Sequence, residues 1–186
     1  DLMFAEALRM RDIRKFELLA DWTEGYSAQF VEQKIIECSG SFCCHTTSEE
    51  FAHISFMARC PEEIGEIVMI NAEDKSRSRM KDTINGCLAQ HRPTLIVTDM
   101  DPEKFDLSVN MFTGNSPYFK QESGYNTMAE RGKPTFCQIP KARESWMSPF
   151  VDFLPGSLLA GYHAAVNEIP FFGGRYNFRT QTWNMN

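Results

Sequence analysis

The chain has 186 residues, 42% of them hydrophobic and 24% charged, which is the composition of one ordinary globular domain with a core of its own. A formal net charge of −6 excludes a nucleic-acid or anionic-membrane surface as the main partner, because either needs a concentrated basic face. No stretch reaches the roughly 18 apolar residues of a membrane span and no secretory leader opens the sequence, so the expectation is a cytoplasmic protein.

In chain order, Leu2 to Met10 carry apolar residues at helical spacing and predict a leading helix within residues 1–12. Lys15 to Ala20 reads as a short strand, Asp21 to Gly25 as the loop after it, and Tyr26 to Glu37 as a helix free of Gly and Pro. Tyr26, Phe30, Gln33 and Glu37 follow one another at steps of four, three and four, which puts them on one line of that helix. If the line faces the core, Glu37 is partly desolvated and its pKa rises toward the range of a general base; the alternative is a helix-end Glu reaching into water. Ser41 to Thr46 predicts a buried strand, and adjacent Cys43 and Cys44 then point to opposite faces, as reduced structural thiols. Thr47 or Ser48 followed by Glu49 and Glu50 starts a helix that carries His53 two turns in; a lone His there is either a core residue or a catalyst.

Ile67 to Ile70 predicts a central strand, a helix then runs to about Gln90 with Met80, Ile84 and Leu88 on one face, and Thr94 to Thr98 predicts another strand. Residues 105–134 scatter Gly, Asn and Pro and predict an irregular insertion. Thr135 to Ile139 is the last predicted strand, and Pro149 to Val166 an apolar helix with His163 on it as a core residue. A glycine-bent tail carries Arg175 and Arg179, four residues apart, as cations that can hold a phosphate or carboxylate or simply face water. Apolar runs alternating with helices of 10–15 residues predict parallel strands covered by helices on both faces, a three-layer α/β/α sandwich of five strands with its site at their carboxyl ends. Dinucleotide, P-loop, zinc-protease and hydrolase-elbow motifs are absent, and the Cys and His spacing suits no metal.

The segments KFELLADWTEGYSAQFVEQKIIE, SFCCHTTSEEFAH, IVMINAEDKSRSRM, TLIVTDMD and PFVDFLPGSLLAGYHAAVNE resemble the second SIS (sugar isomerase) domain of double-SIS proteins. The resemblance runs from about Lys15 to Arg179 and is most specific between Glu37 and His53, sixteen positions apart. It implies a flavodoxin-like parallel sheet and a single SIS domain over residues 1–186, working as the C-terminal half of a double-SIS protein. It further implies an aldose–ketose isomerase or fructosamine-6-phosphate deglycase that needs no metal or organic cofactor. Glu37 would move a proton between C1 and C2 of an open-chain sugar phosphate or sugar-amine adduct, and His53 would act as the acid, in several members across a dimer interface. Glu50 also matches the family pattern, and Arg179 stands nearest to a tail lysine of the synthase. Arg175, Arg179, Thr23 and Ser27 are the substrate-binding candidates, the last two at a helix N-terminus. Ile54-Ser55 depart from the Gly-Pro that often follows the histidine, and the phosphate loop of the first SIS domain has no counterpart, which implies a second SIS domain or a homodimer partner. The alternative reading is a non-catalytic sugar-phosphate-binding regulatory module.

Overall fold

The computed structural model describes residues 1–105, 107 and 133–171. Among the described residues, ten helices and strands carry the fold: α1 (Leu2–Arg9), β1 (Lys15–Ala20), α2 (Glu24–Ser39), β2 (Phe42–Thr46), α3 (Ser48–His53), β3 (Ile64–Met69), α4 (Arg77–Ala89), β4 (Thr94–Thr98), β5 (Thr135–Gln138) and α5 (Pro149–Val166). The five strands are all parallel, in the order β2-β1-β3-β4-β5. β1, β3 and β4 are central and almost wholly buried, because each is a run of residues that can face helices on both sides.

Alternation along those strands sorts the helices into two layers. Phe16, Leu18, Ala20, Ile67, Met69, Leu95 and Val97 face the layer of α1, α5 and α2, while Leu19, Val68, Ile70 and Ile96 face α3 and α4. α5 sits between α1 and α2, and Gly156 lets α2 approach closely, since a Cβ there would stand 2.7 Å from Val31 Cγ1. α2 ends on Gly40 at φ 64°, the left-handed conformation that glycine adopts without strain. α3 opens with a capping box in which Thr47 and Glu50 satisfy each other's backbone N–H groups.

Two carboxylates interrupt the apolar strands. Glu17 and Glu66 are register partners on β1 and β3, and both bind the fully buried guanidinium of Arg92, Glu17 at 2.6 Å. Arg92 also donates to the Ser55 carbonyl at 2.7 Å and lies 5.1 Å from the Phe51 ring centroid. Burial, then the neighbouring Glu17, push the Glu66 carboxyl well above the usual range, although Arg92 opposes the shift.

The sequence expectations hold closely for β1, β4 and α5, whose bounds agree residue for residue, and β5 stops one residue early. α2 is longer than expected and begins at Glu24. α3 is shorter, so His53 is its last residue rather than a position within a longer helix. The insertion expected at about 105–134 lies almost wholly outside the described residues. No helix among the described residues is long and apolar enough to cross a membrane.

Candidate functional site

Strand order reverses between β1 and β3: from β1 the chain moves outward to β2 and then returns to the other side. In parallel α/β sheets a crevice opens at this reversal, outside the carboxyl ends of the strands. Here it is a cavity of about 250 Å³, lined from the β1–α2 turn (Trp22, Thr23, Glu24), the loop after β3 (Asn71, Asp74), the end of β4 (Asp99) and the start of α5 (Ser148, Asp152). Trp22 at the rim has φ 51°, a conformation uncommon for a bulky residue, and its side chain is exposed.

Asn71 is the centre of the cleft. Its Oδ1 accepts the backbone N–H of Asp99 at 3.1 Å, which fixes the amide orientation and aims Nδ2 at two carboxylates, Glu24 Oε1 at 3.0 Å and Asp152 Oδ2 at 2.9 Å. Ser148 Oγ donates to Glu24 Oε1 at 3.0 Å, and Asp99 Oδ1 accepts the Ala72 N–H at 2.7 Å. Glu24, Asn71, Ser148 and Asp152 are all buried. Burial is the main reason that the Asp152 carboxyl is pushed up to about 7; its bond from Asn71 pulls the other way and the charge of Glu24 adds to the rise. Glu24 is raised for the same first reason, again against the Asn71 bond. A carboxyl that titrates near neutrality can take up or release a proton under ordinary conditions. Lys75 and Lys141 bring positive charge to the rim, and Lys141 Nζ pairs with Glu73 at 2.6 Å.

The residues singled out from the sequence are dispersed. Thr23 lines the cavity, with no side-chain capping bond. Ser27 is buried where α2 meets α5 and donates to the Pro149 carbonyl at 3.4 Å. Glu50 is held by Thr47, whose backbone N–H donates at 2.9 Å and hydroxyl at 3.0 Å, and these bonds lower its pKa. Arg175 and Arg179 lie outside the described residues.

Glu37 and His53 are not brought to one cleft within the chain. Glu37 is on the last turns of α2, about 20 Å along the helix from Glu24 at 1.5 Å per residue, and so toward the amino edge of the sheet. Its row does not face the core: Tyr26, Phe30 and Gln33 are exposed, and Glu37 is 34% exposed with Lys34 Nζ at 2.5 Å. Of the two readings of the row, the structure bears out the helix-end Glu that reaches water, without the desolvation that a core-facing row would bring. His53 is 72% exposed at the end of α3, 3.4 Å from Glu49, so it is not a core histidine. α2 and α3 belong to opposite layers, so β2 and the sheet edge stand between the two residues.

Sequence reasoning missed Glu24, Asn71 and Asp152 as partners, although a signal was present. Asp152 is the one charge in the apolar run from Pro149 to Tyr162, and Asn71 follows directly on a strand's apolar run. Among the described residues no group of three or more His, Cys, Asp or Glu side chains is placed to hold a metal ion.

No protein-family model matches the chain, and no curated protein matches it in sequence. Solved structures do match in fold. The C-terminal domain of glucosamine-fructose-6-phosphate aminotransferase from Francisella tularensis superposes with a TM-score of 0.65 at 11% identity, over 89% of this chain and 39% of that one. Tagatose-6-phosphate ketose/aldose isomerase from Escherichia coli gives 0.58 at 9% identity, over 88% and 39%. The c3406 protein of E. coli CFT073, solved in complex with A5P, gives 0.52 at 10%, over 90% and 88%. The chain thus spans about two fifths of the first two and most of the third, and what it shares with them is the α/β fold of the SIS domain.

Proposed function

We propose that this SIS fold serves phosphosugar chemistry as one lobe of a composite enzyme, with Glu37 as the base that moves a proton between C1 and C2 and His53 as the acid that serves the carbonyl oxygen. The substrate class is an open-chain sugar phosphate, or a sugar-amine adduct whose C–N bond breaks afterwards. The observation that carries the reading is the freedom of both side chains: Glu37 and His53 are accessible to solvent, and the ion pairs described for them are to neighbours three and four residues away on the same helix. Their positions on opposite layers support a site completed between lobes, each residue acting on a substrate held against a different copy or domain. The carboxylates of this chain's own cleft repel a phosphate, which supports a phosphate site on the partner lobe. Solved proteins of the same fold include a ketose/aldose isomerase and a protein bound to A5P, and that agrees with the substrate class.

The test is turnover of ketose phosphates and 6-phosphofructosyl amines by the full chain and by Glu37→Gln. General acid–base catalysis predicts a loss of roughly 10²–10⁴ in kcat. Mixing Glu37→Gln with His53→Asn should then restore part of the activity, because some mixed assemblies hold one site with both residues intact. An unchanged rate in Glu37→Gln sinks the assignment.

A second reading has one observation in its favour, the polar cavity at the carboxyl edge with Lys75 and Lys141 at its rim: a non-catalytic module that senses a sugar phosphate there, the phosphate lying at the lysine rim and away from the buried carboxylates. It predicts thermal stabilisation by the ligand with no turnover in the wild type.

A further inference from the structure

Two acids stand in the cleft without a counterion. Glu24 and Asp152 are only 6% and 2% exposed, and both accept from the one Asn71 amide, at 3.0 and 2.9 Å. Among the described residues neither forms an ion pair, and Lys141, at the rim, is taken by Glu73 at 2.6 Å. Buried carboxylates held only by neutral donors keep their charge at a cost, and a proton relieves it. The other charged groups that act on the pair are also acids: Asp74 after β3 on Glu24, and Asp99 at the end of β4 on Asp152. The rise of Asp152 to about 7, caused first by burial, agrees with a pair that is not fully ionised near neutrality.

We infer that the cleft takes up a sugar phosphate and a proton together, the phosphate at the Lys75 and Lys141 rim and the proton on the Glu24–Asp152 pair. This rests on the second functional reading and adds to it a regulation by pH. A cavity of about 250 Å³ is small beside the roughly 300–1,000 Å³ of most ligand pockets, so one sugar-sized ligand fills it. If round it is about 8 Å across, no more than the Debye length of roughly 8 Å at physiological salt, so a phosphate at its rim and a carboxylate at its base act on each other. The step balances simply: a phosphate dianion enters, one proton leaves the buffer for a carboxylate oxygen, and no other bond changes. Glu24 takes both its bonds on Oε1 and Asp152 takes Asn71 on Oδ2, so Glu24 Oε2 or Asp152 Oδ1 can carry the proton without disturbing them. A protonated carboxyl is also a donor, able to bond a sugar hydroxyl. The sign follows from charge. The anion favours the protonated pair, so affinity falls as pH rises above about 7, where the free cleft has given up that proton. The phosphate, with a second pKa of about 6, is already a dianion there, and Lys141, its pKa raised by Glu73, keeps its charge.

Isothermal titration calorimetry on the full chain tests the inference, with D-glucitol 6-phosphate as the probe because it has no carbonyl to react. Titrations at pH 8 in two buffers of different ionisation enthalpy count the protons taken up. The wild type should take up on the order of 0.5–1 proton, and its Kd should weaken roughly tenfold or more between pH 7 and 9. Asp152→Asn should bind with little proton uptake and a nearly flat Kd, and more tightly than the wild type at pH 9. Glu24→Gln, which removes a charge that raises Asp152, should move the fall in affinity to lower pH; circular dichroism verifies that both variants fold. Binding by the wild type without proton uptake overturns the inference and leaves the second functional reading standing. Uptake that persists unchanged in Asp152→Asn overturns it as well, and so does a folded Asp152→Asn that binds the probe at no pH. A folded wild type that does not bind the probe removes that functional reading and the inference with it.

Discussion

Replacing Asp152 by Asn keeps the shape of the side chain and its ability to accept from Asn71, and removes its charge. The pH dependence this should abolish follows from the carboxyl's position. In the unfolded chain the group titrates near 3.8, whereas in the fold burial lifts it to about 7. Below pH 3.8 both states hold the proton and nothing is lost. Between 3.8 and 7 the folded state binds more protons than the unfolded one, so stability falls as pH rises; above 7 the loss is complete. At 1.36 kcal/mol per pKa unit the ceiling is about 4 kcal/mol, and water entering the cavity screens the charge, which brings the expected loss to about 2 kcal/mol. For a chain of this size that is roughly 4–8 °C in melting temperature. Asp152→Asn should therefore match the wild type near pH 4 and exceed it by that amount at pH 8, as measured by thermal melts monitored by circular dichroism. Parallel curves for the two proteins from pH 4 to 8 would refute the reasoning, and so would a variant that is less stable at pH 8.

The buried guanidinium makes the opposite kind of prediction. Arg92→Met leaves Glu17 and Glu66 unpaired between β1 and β3 and should cost about 3–5 kcal/mol in urea unfolding, most of it recovered when both acids are also changed to Gln; a loss under 1 kcal/mol would show that the acids are already neutral without it. On α5, Gly156→Ala drives a methyl into Val31 and should cost about 1–3 kcal/mol, while Gly161→Ala, with open space at its Cβ, should be neutral or stabilising by up to about 1 kcal/mol. Equal melting temperatures for the two glycine variants would argue against the close α2–α5 approach.

What was legible in the sequence divides along physical lines. Strands buried on both faces announce themselves as apolar runs, so Lys15–Ala20 and Thr94–Thr98 were found to the residue. Glu17 inside the first of these gave no such notice, because its partner Arg92 is 75 positions away and only the fold joins them. The cleft was hidden for the same reason: Asn71 and Asp152 are 81 positions apart, and their meeting depends on β3 and α5 converging at one edge of the sheet. The row from Tyr26 to Glu37 was legible as a row, but whether it faced the core or water was not. Helical spacing tells which residues share a face, and the exposed apolar side chains of α2 show that it does not tell which way the face points.

The central position of α5 in its layer also sets how the protein must fold. α1 and α2, from the first 39 residues, both lean on a helix that begins at Pro149, so the part of their apolar surface that packs on it has no cover until that distant segment arrives, although α2 also rests on β1 and β2. Such non-local closure slows folding, because much of the chain must be ordered before the contact that rewards it forms. During synthesis, the early α/β units will emerge with Val31 and Phe16 uncovered for many seconds at about 5–20 residues per second. The chain is thus expected to depend on chaperones while it is made, and to refold slowly from denaturant even where its native state is secure.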